Sequence, residues 1–197
     1  PRLDNMASEG VVFENCHIST PLCTPARCAW NTGRHAFRVG MNRQRDPNYI
    51  GEEPDYGLPQ EEITIAELLR KKGYRTALFG KWNLGNEIKY NPLHYGFDEF
   101  YGSTLGNADY YSHKRKGEKS FFHNLHQIND KGYFDKLFTD EAVTFLRRQE
   151  NSVKPFYMNL CFYAPHGPYQ TPPSFPSTSN NEINYYYMIE YLDKCVG

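Results

Sequence analysis

Cys23 and Arg27 lie four residues apart near the start of a short predicted helix. Thr24 is a favourable N-cap and Pro25 suits the first helical position, so the helix is predicted over about 25–32, before a glycine that can end it. The thiol of Cys23 would then lie at the positive end of the helix dipole, which favours an anion. The guanidinium of Arg27 suits a tetrahedral oxyanion. Taken alone, the pattern fits an oxyanion site or, more commonly, a capped helix with one buried cysteine.

Three further polar residues follow predicted strands. One strand spans 74–79 and runs into Lys81 and Asn83, and a second strand, 156–163, runs into His166. Ligands of open α/β sheets bind at the carboxyl ends of the strands, so this placement favours a functional role. Considered singly, Lys81 could be a solvated side chain and His166 a loop histidine without a role.

Helices and strands alternate along the chain in a rhythm typical of a parallel α/β sheet. Thr64 opens a capping box, and Thr139 is predicted to cap a second helix. The predicted helices span 3–9, 64–72, 139–148 and 182–195, and residues 11–13 are predicted to be extended. Two long polar stretches, 42–60 and 101–133, are predicted to be functional or disordered loops. The fold class predicted from this pattern is α/β, a mainly parallel sheet flanked by helices.

The composition argues against several classes of protein. Acidic and basic residues nearly cancel, at 23 against 22, so no strong field points to nucleic acid or to an anionic membrane. No apolar run approaches the roughly 20 residues of a membrane-spanning helix. The five cysteines form no CxxC pair and show no zinc-ligand spacing. A small anionic substrate stays possible, because a local cluster of basic side chains does not show in the net charge.

The predicted helix carries the string CTPARCAWNTGR, which resembles the signature of the formylglycine-dependent sulfatases. The cysteine, the proline, the arginine and the closing Thr-Gly-Arg all match at the family spacing. Further blocks follow in family order, namely LPQEEITIAELLRKKGYRTALFGKWNLG, GFDEFYG and KPFYMNLCFYAPHGPY. The layout of GFDEFYGSTLGNADYYSHKR is most similar to the arylsulfatase B, or N-acetylgalactosamine-4-sulfatase, branch. The resemblance covers nearly the whole chain and implies a sulfuric ester hydrolase.

The resemblance implies a role for each of five residues. Cys23 would be oxidised to formylglycine by a maturation enzyme, and the hydrated aldehyde would be the nucleophile and a metal ligand. Arg27 would hold the hydrate, Lys81 would contact a sulfate oxygen, and His166 would bind the sulfate and protonate the leaving alcohol. Asn83 departs from the family, which has at this place a histidine that takes up a proton as sulfate is expelled. Asparagine cannot move a proton near neutral pH, so turnover is slowed or another group covers the step.

The resemblance also implies a calcium ion and a larger fold. The other calcium ligands are expected before Pro1 and after Gly197. Residues 1–197 are therefore predicted to be part of a single alkaline-phosphatase-like catalytic domain that lacks its N-terminal strand and C-terminal portion, and to be inactive alone. The implied substrate is a sulfated carbohydrate or an aryl sulfate. Export to the periplasm, the lysosome or the cell exterior is expected for the family.

Two other functions stay open. A phosphoester or phosphonate hydrolase of the same superfamily would use the same kind of oxyanion and metal site. A catalytically silent relative that binds sulfated glycans would keep the fold, and Asn83 is the feature that favours it.

Overall fold

A mixed five-stranded sheet lies at the centre of the computed structural model, which describes residues 1–43 and 55–197. Its strands are β1 (Arg75–Lys81), β2 (Glu99–Ser103), β5 (Phe121–His123), β6 (His126–Gln127) and β7 (Phe156–Cys161), and a separate hairpin contains β3 (Lys114–Arg115) and β4 (Glu118–Lys119). The order across the sheet is β6–β5–β2–β1–β7. β1 pairs in parallel with β2 and β7, whereas β5 pairs antiparallel with β2 and β6. The three longest strands of the sheet are therefore parallel, as predicted.

The helices lie on both faces of this sheet. They are α1 (Arg2–Glu9), α2 (Cys23–Thr32), α3 (Ile65–Lys71), α4 (Phe134–Gln149) and α5 (Asn181–Val196), with 3-10 helices over Ala36–Val39, Ile88–Tyr90 and Pro92–Tyr95. Within 1–43 and 55–197, no helix has the length and apolar character needed to cross a membrane.

Two hydrophobic clusters fix the sheet between the helices. Phe79 of β1 belongs to a cluster with Phe138 of α4, whereas Leu78 belongs to a cluster with Cys28 of α2 and Ala66 of α3. Successive residues of a strand point to opposite faces, so β1 has both faces buried, as is usual for a central parallel strand. Lys81, the last residue of β1, is consequently held at the rim of a rigid element.

Several predicted elements are confirmed with small shifts at their ends. The strand predicted over 74–79 spans Arg75–Lys81, and the strand predicted over 156–163 ends earlier, at Cys161. Thr64 caps α3, since its hydroxyl oxygen accepts from the backbone N–H of Glu67 at 3.1 Å. The polar stretch 42–60 lies in part outside the described residues, over 44–54.

The prediction that Thr24 is an N-cap is wrong. Leu22 occupies that position, with extended backbone angles, and its carbonyl accepts from Ala26 N at 2.9 Å, so the helix begins at Cys23. Gly33 ends the helix in the left-handed conformation, as predicted (φ 66°). The consequence is that Cys23 lies in the first turn of α2.

The predicted helix start at Thr139 is also wrong. α4 begins at Phe134, and Thr139 lies inside it with its hydroxyl donating to Asp135 O at 2.7 Å. The buried pair Phe134 and Phe138 adds a full turn that packs against the sheet. The stretch 101–133, predicted to be a loop, contains the end of β2 and four short strands.

Candidate active site

Lys81 is the last residue of β1 and is only 3% exposed. Its Nζ lies 5.6 Å from the centre of the Tyr163 ring. Burial lowers the pKa of Lys81 to about 8, and the nearby charge of Arg27 acts in the same direction. Lys81 therefore remains mostly protonated at neutral pH while having lost most of its water.

Cys23 lies beside Lys81, in the first turn of α2. A hydrogen bond with His166 is the largest cause that lowers the pKa of Cys23 to about 6, and Lys81 adds to it, whereas burial opposes both. The thiol is therefore mainly a thiolate at neutral pH. Cys28, on the same helix, is fully buried, and burial raises its pKa to about 11. The two cysteines of α2 are thus chemically distinct.

A cavity of about 390 Å³ opens onto these groups. Cys23, Arg27 and Lys81 contribute polar groups to its wall, and Leu22 and Trp30 contribute apolar surface. The site therefore has room for a group larger than a bare oxyanion.

His166 reaches Cys23 from the loop that follows β7. Its backbone carbonyl accepts from Tyr110 Oη at 2.7 Å, and its Nδ1 lies 2.7 Å from the carbonyl oxygen of Gly167. Because a carbonyl oxygen can only accept, Nδ1 carries a proton in this contact, and Nε2 is the nitrogen that can exchange a proton within the site. The hydrogen bond with Cys23 is the largest cause that raises the pKa of His166.

Arg27 and Asn83 complete the set of predicted residues. Arg27 Nη1 donates to the carbonyl oxygen of Lys81 at 2.6 Å, which holds the guanidinium against the end of β1. Asn83 is 2% exposed, has a left-handed backbone (φ 57°), and its Nδ2 donates to Thr24 Oγ1 at 3.1 Å. Asn83 therefore supports the residue next to Cys23.

Sequence reasoning missed Asp135, which positions the loop that carries His166. Its carboxylate is fully buried and accepts from Tyr163 N at 2.9 Å and from Ala164 N at 3.2 Å. Burial raises the pKa of Asp135 to about 6. An aspartate in the first turn of a helix is a recognisable signal, but placing the helix start at Thr139 hid it.

The described residues do not by themselves form a calcium site. Within 1–43 and 55–197, no three or more His, Cys, Asp or Glu side chains gather where they could hold a metal ion. Calcium needs six to eight oxygen ligands, so Cys23 alone does not fit the ion.

Comparison with known proteins supports both the family resemblance and the fold. The sequence model described as Sulfatase matches residues 1–197. N-acetylgalactosamine-6-sulfatase of Mus musculus is 34% identical over 194 residues, which cover 91% of this chain and 37% of that protein. The chain thus spans little more than a third of that relative.

Two solved structures share the fold of this chain. The crystal structure of Ps i-CgsB in complex with k-i-k-neocarrahexaose has a TM-score of 0.86 at 26% identity, covering all of this chain and 48% of that one. A protein in the alkaline phosphatase superfamily from Vibrio parahaemolyticus has a TM-score of 0.55 at 20% identity, over all of this chain and 42% of that one. The second likeness concerns the fold alone and supports the predicted alkaline-phosphatase-like architecture.

Proposed function

The chain belongs to the sulfatase family, and on that premise we propose that the protein carrying it hydrolyses a sulfate ester through a formylglycine made from Cys23. The observation that carries the proposal is the convergence of Cys23, Lys81 and His166 at the carboxyl end of a buried strand. One site therefore contains a proton donor, His166, a cation, Lys81, and the residue to be converted, Cys23. The finer likeness to the arylsulfatase B branch stays a prediction.

The sulfate group would be bound by positive charge at the end of β1. Lys81 is buried and mostly protonated, and Arg27 is fixed beside it through the Lys81 carbonyl. Partly desolvated cations attract an anion more strongly than exposed ones do, because water screens them less. These two side chains would therefore orient the sulfur atom towards position 23.

The attack would start from a hydrate oxygen of the converted residue. Formylglycine carries its hydrate oxygens on Cβ, so the sulfur of Cys23 stands in for one of them. The attacking oxygen has first lost its proton to solvent water, and it forms a bond to the sulfur of the sulfate ester while the bond from that sulfur to the alcohol oxygen breaks. Nε2 of His166 gives its proton to the departing alcohol, and the sulfate stays on the hydrate oxygen.

Release of sulfate would regenerate the aldehyde. The second hydroxyl of the hydrate loses its proton to solvent water, the carbon–oxygen double bond reforms, and the bond from carbon to the sulfate oxygen breaks. Asn83 cannot accept that proton, and its amide is engaged with Thr24. We therefore propose that release is the slow step in this protein.

The substrate class proposed is a sulfate ester on a carbohydrate or an aryl group. The apolar surface of Trp30 and Leu22 beside Cys23 supports an organic leaving group. A divalent cation, calcium by resemblance, would add Lewis-acid chemistry in the longer protein, and a maturation enzyme would be needed to convert Cys23. Export from the cytoplasm is part of the same proposal.

Turnover of an aryl sulfate tests this function. The full-length protein, co-expressed with a maturation enzyme, should release sulfate and alcohol, and Cys23→Ala should reduce the rate more than about 1,000-fold because the nucleophile is lost. Cys28→Ser is the matched control, since Cys28 is on the same helix but is fully buried and does not line the cavity. An aryl phosphate assayed in parallel separates the alternatives: faster phosphate release would favour the phosphoester hydrolase. Turnover unaffected by Cys23→Ala would contradict the proposal.

A further inference from the structure

A basic hairpin, residues 114–119, has no part in the proposed mechanism. Its strands β3 and β4 carry Lys114, Arg115 and Lys119, the turn adds Lys116, and Glu118 is the single acidic residue. Four positive charges against one negative charge in six residues make this segment attractive to anions.

The base of the basic hairpin is joined to the rim of the sheet that holds Lys81. Ser120 follows the hairpin directly, and its carbonyl accepts from Thr104 N at 3.1 Å. Its hydroxyl lies 2.9 Å from the hydroxyl of Ser103. Ser103 is the register partner of Lys81, and its carbonyl accepts from Trp82 N at 2.9 Å. Because neighbouring strands lie about 5 Å apart, the hairpin emerges roughly 10 Å from the backbone of Lys81.

Arg115 faces inward from the basic hairpin. Its neighbours Lys114 and Lys116 are exposed, whereas Arg115 is half-buried, as expected for residues that alternate along a strand. Burial raises the pKa of Tyr163, and the positive charges of Arg27 and Arg115 both oppose this rise. The Lys81 ammonium lies 5.6 Å from the centre of the Tyr163 ring, so Lys81 and Arg115 both act on this tyrosine.

We propose that the basic hairpin is a second anion-binding subsite, with Arg115 as its main contact, for a substrate that carries a further sulfate group beside the ester that is cleaved. The inference rests on the proposed function and narrows its substrate class to multiply sulfated carbohydrates. The planar fork of Arg115 matches a sulfate with two hydrogen bonds, and the exposed lysines add attraction at longer range. Glu118 lies opposite Arg115 in the hairpin, so its carboxylate competes with a bound anion.

Binding without turnover tests the subsite. The full-length protein made without a maturation enzyme keeps Cys23 as a thiol and cannot turn over substrate. The probes are two fluorescently labelled hexasaccharides of the same sugars, one with a sulfate on every disaccharide and one with a single sulfate. The ratio of their dissociation constants is measured by fluorescence anisotropy at several salt concentrations.

Three variants are compared: one should lower the preference for the multiply sulfated probe, one should raise it, and one should leave it unchanged. Arg115→Ala should reduce the preference for the multiply sulfated probe about tenfold, the lower range for a hydrogen bond to a charged group. Glu118→Gln should increase the preference, because the competing carboxylate is removed. Lys72→Ala removes an equal charge from an exposed position at the end of α3 and should leave the preference unchanged.

The outcomes separate this inference from the proposed function. A preference that falls with Arg115→Ala, rises with Glu118→Gln and weakens with salt supports the subsite, even if the converted protein fails to hydrolyse aryl sulfates. Equal affinity for the two probes in the unaltered protein contradicts the subsite, and so does a preference insensitive to both hairpin variants. The comparison of the two probes in the unaltered protein needs no variant, so the subsite can be contradicted even if one variant misfolds.

Discussion

Removing the His166 side chain should raise the pKa of the unconverted Cys23 thiol. The hydrogen bond between them is the largest cause that holds this pKa at about 6, with Lys81 as the second partner. A charge-assisted hydrogen bond contributes about 1.5–3 kcal/mol, and one pKa unit corresponds to about 1.4 kcal/mol. His166→Ala should therefore raise the pKa of Cys23 by about 1 to 2 units. The thiolate fraction at pH 7 would fall from about nine-tenths to a half or less.

The assay is alkylation of Cys23 by iodoacetamide as a function of pH, in protein made without a maturation enzyme and in the presence of a metal chelator. The readout is the midpoint of the pH dependence of the alkylation rate. The rate at a single pH would combine a smaller thiolate fraction with a higher nucleophilicity, since a thiolate of higher pKa is intrinsically more nucleophilic. Cys28, whose pKa burial raises to about 11, is the internal control and should stay unlabelled near neutrality. His126→Ala removes an exposed histidine elsewhere and should leave the midpoint unchanged. A midpoint that His166→Ala does not move would refute the contact on which the site is built.

Asn83, Asp135 and the calcium ligands can each be tested separately. Asn83→His should raise steady-state turnover and shrink a burst of product alcohol in rapid-quench kinetics, because a missing general base typically costs about 10²–10⁴-fold in the step it serves. If neither protein shows a burst and the turnover of Asn83→His is no higher, another base acts in this step. Burial raises the pKa of Asp135 from 3.8 to about 6, so its contribution to stability is full below pH 3.8 and is lost as the pH rises through 6. In urea unfolding, the free energy of unfolding of the wild type relative to Asp135→Asn should therefore fall by about 2 kcal/mol between pH 4 and 6. A difference that stays constant with pH would contradict this. Residues 1–197 alone should show neither tight calcium binding by calorimetry nor sulfatase activity, and micromolar binding would show that the metal site has been misplaced.

Local sequence signals predicted the elements that carry the site. Each of these signals acts within a few residues. The cap at Thr64, the left-handed helix end at Gly33 and the burial of the apolar run of β1 could therefore be predicted from the neighbouring sequence. The ends of β1 and β7 then placed Lys81 and His166 at one rim, because parallel neighbouring strands end on the same side.

Contacts between distant segments could not be read in this way. Asp135 binds the backbone of Tyr163 and Ala164, 28 and 29 residues further along, and no local pattern records that pairing. The antiparallel strand β5 and the hairpin that precedes it are short, and their register depends on contacts such as Ser103 with Ser120. Long-range hydrogen bonds of this kind are decided by tertiary packing, which overrides weak local preference.

The most direct test of the central claim is the chemical state of Cys23 in the protein made with a maturation enzyme. After treatment with a hydrazide probe and digestion, mass spectrometry should find the probe on the peptide at position 23, with Cys28 still a thiol. Arg27→Ala and Pro25→Ala should both reduce labelling. Cys23 found only as a thiol or in a disulfide, under conditions that convert a known sulfatase, would contradict the account.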